Sequence, residues 1–237
     1  MSGAEFDRHA ARYDGGLDHP IKRLLGDSAD QFIAVKARWL LRHEPGLKQG
    51  GLSVLDYGCG AGDLMRVLAG LGARASFTGC DVSGGMLAEA ARRWPAAAGL
   101  APELAVQDGV RTPFADGQFD VATISAVLHH VPVAERPAVY AELGRVLKPG
   151  GRLYVFEHNP RNPLVRHVIA RTPIDENAIL LDANEVQQGL LGSARYELET
   201  DYLMFMPPGV AFLRGVDRTL AWLPLGAQYV VTARKGA

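Results

Sequence analysis

The chain has 237 residues, 48% of them apolar, enough for one substantial core with additions rather than several domains. Its 25 Lys and Arg nearly cancel its 26 Asp and Glu, so it lacks the basic excess that a phosphate backbone or an anionic membrane attracts, and a nucleic-acid partner is not expected. The polar start (Glu5, Asp7 and Arg8 before Tyr13) has no signal-peptide core and no apolar run is long enough for an integral membrane segment. With only Cys59 and Cys80, at two strand ends where a bridge would frame nothing, the expectation is a reducing, cytoplasmic setting.

In chain order, Phe32, Val35, Trp39 and Leu40 recur at helical spacing within the stretch from Ile21 to Arg42. From Ser53 to Glu157, short apolar runs alternate with helical ones. Ser53 to Tyr57, Ser76 to Asp81, Glu103 to Gln107, Phe119 to Ser125 and Gly151 to Glu157 read as strands. Asp63 to Leu71, Ser83 to Arg93 and Val133 to Val146 read as helices, with Pro132 in a first turn. Lys148-Pro149-Gly150-Gly151 is a stop-and-turn signal ahead of the next strand. Strands this continuously apolar, separated by helices, predict a doubly wound α/β sheet covered on both faces. Beyond Asn159 a helical stretch follows, then Asp182-Ala183-Asn184-Glu185 as a capping box. Tyr196 to Phe205 and Gln228 to Thr232 read as late strands, flanking an amphipathic helical insertion marked by Val210, Leu213, Val216, Leu220 and Leu223.

The chemistry gathers at strand ends. After Val54-Leu55-Asp56-Tyr57, glycines at Gly58, Gly60 and Gly62 let the backbone turn sharply and approach a ligand with no Cβ in the way. Several cofactor classes use such a loop, and spacing separates them. A dinucleotide fingerprint needs glycine where Asp63 stands, and a Walker loop needs Lys and Ser or Thr after the last glycine. A phosphate at that helix end would meet the Asp63 carboxylate. Asp81 closes the second strand, where a carboxylate accepts hydrogen bonds from both hydroxyls of an adenosine ribose. Asp108, followed by Gly109, is placed to accept from an adenine amino group.

Taken in order, the Val54 to Gly62 run, Asp81, Asp108-Gly109, Phe119-Asp120-Val121, Leu128-His129-His130 and Arg145-Val146-Leu147-Lys148-Pro149-Gly150-Gly151 resemble the class I S-adenosylmethionine-dependent methyltransferases. Among these they are similar to the ubiquinone and menaquinone pathway C-methyltransferases, over roughly Phe6 to Glu157. Thr112 departs from the leucine common before Pro-Phe in that group.

The resemblance implies a Rossmann-like, seven-stranded sheet with an antiparallel last strand pair, N-terminal helices and the C-terminal helical insertion. It implies one methyltransferase domain over 1–237: a helical lid over 1–45, a cofactor-binding core over 46–157, and substrate-side helices with the final strand pair over 158–237. S-adenosylmethionine is the implied cofactor, and a small molecule the implied acceptor; a homodimer is compatible with this reading. Gly58 and Gly60, with the backbone near Ser125 and Ala126, are implied to hold the methionine end, and Tyr13 to fold over the cofactor. Val82 and Met86 join Asp56, Gly62, Asp81, Asp108 and Gly109 in the expected cofactor set.

His130 and His158 are the catalytic candidates. A histidine beyond the fourth or fifth strand is placed to take a proton from the acceptor, whereas its plainer role is to hydrogen-bond a loop. No metal is expected, since His129, His130, Glu157 and His158 match no closed zinc spacing. Two alternatives accompany this reading: a non-catalytic cofactor-binding or regulatory subunit of the same fold, and a nicotinamide-dependent oxidoreductase, which Asp63 opposes.

Overall fold

The computed structural model describes Asp7, residues 29–95, Gly99, residues 101–172, Asp175, and residues 177–205 and 219–236. Most of the expected insertion from Val210 to Leu223, most of the N-terminal lid and Tyr13 lie outside the described residues.

Seven strands form one sheet: β1 (Ser53–Tyr57), β2 (Ser76–Asp81), β3 (Glu103–Val106), β4 (Phe119–Ser125), β5 (Leu147–His158), β6 (Tyr196–Leu203) and β7 (Gln228–Lys235). Their order is β3-β2-β1-β4-β5-β7-β6. The first five run parallel, while β7 pairs antiparallel with both β5 and β6. The doubly wound sheet with its antiparallel last pair is therefore present as expected.

Helices cover both faces because alternate strand residues point opposite ways. Leu55 and Tyr57 of β1 join Ala122, Ile124, Leu153 and Val155 in one core, under Val139, Leu143 and Val146 of α5 (Arg136–Val146) and Val186 and Leu190 of α7 (Ala183–Ser193). Val54, Val121, Tyr154 and Phe156 face the other core, under Ala37 and Leu40 of α1 (Ala29–His43) and Leu64, Met65 and Leu68 of α3 (Asp63–Gly70). The other helices of the sheet region among the described residues are α2 (Gly46–Gln49), α4 (Gly84–Arg93) and α6 (Pro163–Ile169). Among the described residues, no helix is long and apolar enough to cross a membrane.

Local signals set several boundaries. Ser83 caps α4 by accepting from the Met86 N–H, and Asp182 and Glu185 complete the capping box that opens α7. Two expectations need correction. Pro132 lies ahead of α5, where its carbonyl accepts from the Glu135 and Arg136 N–H groups; Pro137 is the proline in the first turn. Lys148-Pro149-Gly150-Gly151 does not precede β5 but bulges within it. Phe119 pairs with Leu147 and Val121 with Arg152, so residues 148–151 stand opposite Asp120 alone. Asp120 pins this bulge, accepting from Lys148 Nζ at 2.8 Å and from Ser53 N and Oγ at 2.9 and 2.7 Å.

Thr112, the departure from the family pattern, also has a physical account. Its N–H and hydroxyl both donate to Glu142 Oε1, at 2.8 and 2.6 Å, and Arg145 binds the same carboxylate through Nε and Nη2. This cluster ties α5 to the segment entering β4. Burial pushes the Glu142 carboxyl up, but Arg145 and Thr112 outweigh it and hold it at about 2, against 4.5 for the free group. A depressed folded-state pKa stabilises above the unfolded value, and that stabilisation is lost as pH falls from 4.5 toward about 2. Glu142→Gln is expected to cost about 3 kcal/mol at neutral pH and to flatten the acid limb of the stability curve in that window. Denaturant melts across the pH range check this; an unchanged acid limb would contradict it.

Candidate active site

The winding reverses direction between β1 and β4, and at such a point the loops leaving the two strands diverge to open a crevice at their carboxyl ends. The glycine loop leaves β1 into it, with Gly58 and Cys59 donating to the Cys80 carbonyl at 2.8 and 3.0 Å. Gly58 has φ +70°, and a Cβ there would meet Val127 Cγ2 at 2.6 Å, so both conformation and space require glycine. A Cβ at Gly60 would meet only Met86 Cε, at 3.4 Å. Gly62 caps α3 in the left-handed region.

Asp81 governs the loop. Its Oδ2 accepts from Gly60 N at 2.8 Å and its Oδ1 from Ser83 N at 2.9 Å. Burial raises its pKa, against the lowering effect of these backbone N–H groups. Each oxygen retains a lone pair, so the carboxylate can hold the loop and still accept from a ligand. Asp7 adds a second carboxylate nearby, accepting from Ser83 Oγ and from Gly85 N at the start of α4. Asp108 is exposed; its Oδ1 accepts from Val110 N and Arg111 N at 2.9 and 2.7 Å, and Oδ2 takes no part in these two bonds. A Cβ at Gly109 would meet Val82 Cγ1 at 3.8 Å, so Val82 and Gly109 flank one patch.

Beneath the loop is a charged network that sequence patterns did not reveal. Lys36, from α1, is buried and donates from Nζ to Ser125 Oγ at 2.8 Å, across 89 positions of sequence. Burial drives its pKa down to about 8, partly offset by Glu157 and Asp56. Asp56 accepts from Thr123 Oγ1 at 2.7 Å, and burial lifts it to about 7. Asp56 is thus buried and held by a β4 hydroxyl. Ala126 turns the chain out of β4 with φ +58°, an uncommon backbone for a residue with a Cβ.

Asp63 explains why a pyrophosphate would be misplaced here. It opens α3 and pairs with Arg66 at 3.2 Å and Arg93 at 2.8 Å, so the helix N-terminus already holds a neutralised anion.

The far wall is organised by Glu157. Its Oε1 accepts from Val127 N and Leu128 N at 3.0 and 2.8 Å, and its Oε2 lies 2.6 Å from His129 Nδ1. Burial opposes the charged Glu157, but His129 outweighs it and holds the carboxyl at about 2. For His129, burial is outweighed by Glu157 and Asp175, which raise the imidazole to about 9. His158, partly buried with its ring centroid 5.3 Å from that of His129, is driven down to about 3 by burial and by the His129 charge. It is neutral at physiological pH. His130 faces Asp175 at 3.4 Å. The structure therefore gathers Gly58, Gly60, Gly62, Asp81, Met86, Ser125 and Ala126 at the strand ends.

Residues 54–151 match the family described as a methyltransferase domain. The chain is 36% identical over 156 residues to a ubiquinone/menaquinone biosynthesis C-methyltransferase of Desulfotalea psychrophila, covering 65% of this chain and 57% of the relative. It is 38% identical over 169 residues to a demethylmenaquinone methyltransferase of Parafrankia sp., covering 65% and 61%. The chain thus spans about three-fifths of the length of these curated relatives. A magnesium protoporphyrin IX methyltransferase of Synechocystis, solved with bound S-adenosylhomocysteine, superposes with a TM-score of 0.67 at 20% identity, over 98% of this chain and 95% of that one. At that identity the likeness is one of fold.

Gly58→Ala is expected to lower stability by about 1–2 kcal/mol from the left-handed backbone, plus about 1–3 kcal/mol from overpacking against Val127. Adding Val127→Ala recovers the overpacking part only. Chemical denaturation of both variants checks this; a single variant as stable as the parent would contradict the close approach.

Proposed function

We propose that the chain transfers a methyl group from S-adenosylmethionine to a small-molecule acceptor by direct displacement. The observation that carries this is Asp81: a buried carboxylate fastened to the Gly60 and Ser83 N–H groups at the crevice, with accepting capacity left for two ribose hydroxyls. Asp108, Val82 and Gly109 receive the adenine. Gly58, Gly60, Ser125 and Ala126 line the methionine end, where Lys36 supplies positive charge for a carboxylate. Tyr13, outside the described residues, keeps its proposed place over the cofactor.

The sulfonium carbon is electrophilic without help, so the protein's task is to align nucleophile, methyl group and departing sulfur. His158 stands on the acceptor side as a neutral imidazole. With its basicity this far depressed it serves as a hydrogen-bond acceptor that orients the nucleophile. Residues 46–157 form most of the cofactor site, 1–45 close over it with Tyr13 and Lys36, and 1–45 together with 158–237 select and enclose the acceptor. Relatives named for quinone pathways support a small apolar acceptor. The unbridged Cys59 and Cys80 support a reducing, cytoplasmic setting.

Two measurements test this. Asp81→Ala is expected to weaken adenosylhomocysteine binding by about 1–3 kcal/mol in calorimetry, and unchanged affinity would sink the ribose assignment. Incubating the parent protein with methyl-labelled S-adenosylmethionine and a panel of hydroxylated quinones and phenols is expected to label an acceptor. Tight cofactor binding with no labelled product would favour a non-catalytic subunit.

A further inference from the structure

Next to the far wall, three side chains converge that methyl transfer as proposed does not use. His129 and His130 are neighbours on the single 3-10 turn Leu128–His130. Asp175 faces both: its Oδ1 lies 3.4 Å from His129 Nε2 and 3.4 Å from His130 Nε2. All three donor atoms lie within 4.8 Å of one another.

We propose that His129, His130 and Asp175 form a binding site for one divalent transition-metal ion of the zinc type, with Glu157 as the carboxylate that orients His129. The inference goes beyond the methyl-transfer reading and is independent of it, since it shares no donor with the residues assigned to the cofactor.

The spacing is the first argument. A direct charge-assisted hydrogen bond between imidazole and carboxylate brings the heavy atoms to about 2.7–2.9 Å, whereas Asp175 Oδ1 stands back equally from two nitrogens. Ligands at the usual zinc distances around a tetrahedral ion are separated by about 3.4 Å, which is the separation of Asp175 Oδ1 from each imidazole nitrogen, and the two nitrogens lie within 4.8 Å of each other.

The second argument is the outer shell. Metal-bound histidines commonly donate their other ring nitrogen to a carboxylate, which fixes the tautomer and aims the free lone pair. His129 Nδ1 lies 2.6 Å from Glu157 Oε2, and Glu157 is itself held by the Val127 and Leu128 N–H groups. His129 Nε2 is thereby directed at Asp175. Two imidazoles and one carboxylate form a borderline donor set, suited to zinc, cobalt or nickel rather than calcium or magnesium.

Access and valence are consistent with this. The His129, His130 and Asp175 side chains are 1%, 12% and 8% exposed, so the site is shielded. Asp175 also lines a cleft of about 620 Å³ with Pro163, Arg166 and Ile169 of α6. Three protein donors leave a fourth position for water or an acceptor oxygen. Binding replaces any proton on either Nε2 with the ion, releases it to solvent, and involves no electron transfer. The chain spacing conceals the site because Asp175 is 45 residues beyond His130.

The test is titration of the chelator-treated full chain with cobalt chloride, followed by zinc chloride. One equivalent of cobalt is expected to produce the intense visible d–d bands of a four-coordinate ion, and zinc to bleach them. Asp175→Asn and His130→Gln are each expected to weaken cobalt binding at least tenfold. Circular dichroism reports whether each variant folds, and adenosylhomocysteine affinity is expected to stay unchanged in both. If Asp175→Asn fails to fold, His130→Gln carries the test. Absence of saturable cobalt binding, or undiminished affinity in the folded variants, would overturn the site. Loss of adenosylhomocysteine binding by the parent protein would instead count against the methyl-transfer reading alone.

Discussion

The Asp81 carboxylate joins the glycine loop after β1 to the N-terminus of α4, taking the Gly60 N–H on one oxygen and the Ser83 N–H on the other. The crevice depends on this junction. A glycine loop has many accessible conformations, and ordering it costs entropy that few side-chain contacts can offset. A buried, charge-assisted acceptor for one of its N–H groups selects one conformation before any ligand arrives. In the proposed function the same carboxylate also accepts from the ribose, which would place preorganisation and recognition in a single residue.

Around this junction the protein buries several ionisable groups: Lys36, Asp56, Glu157 and His129. Burying charge is costly, and such groups are tolerated only where partners replace water. Here Lys36 reaches Ser125, Asp56 takes the Thr123 hydroxyl, and Glu157 satisfies two backbone N–H groups and one imidazole. These contacts link α1, β1, β4 and β5, so the strand ends that form the crevice are tied to one another beneath it. Because burial shifts Lys36 and Asp56 toward neutrality against the pull of their partners, the network is sensitive to whatever charge enters above it.

Much of the fold was legible because its determinants are local. Short continuous apolar runs, Ser83 and the Asp182-Glu185 capping box all act within a few residues, and the strands and caps appear where those signals stand. Asp81 and the glycines were legible for the same reason. Lys148-Pro149-Gly150-Gly151 misled because a turn signal and a long bulge use the same residues; only pairing with β4 distinguishes them. Pro132 misled because a helix-feeding turn also favours proline at its head. The roles of Lys36, Glu157 and Asp175 were not legible at all. Each depends on a partner far along the chain, brought close by the sheet and not by any spacing.

The account rests most heavily on Asp81 as the seat of a nucleoside ribose, and a crystal structure of the full chain with adenosylhomocysteine tests this most directly. The predicted result has both ribose hydroxyls within about 2.6–3.2 Å of the Asp81 carboxylate, the adenine beside Asp108 and Val82, and the amino-acid end toward Lys36 and Ser125. A nucleoside bound away from Asp81, or an Asp81 turned from the ribose with the glycine loop rebuilt, would contradict it.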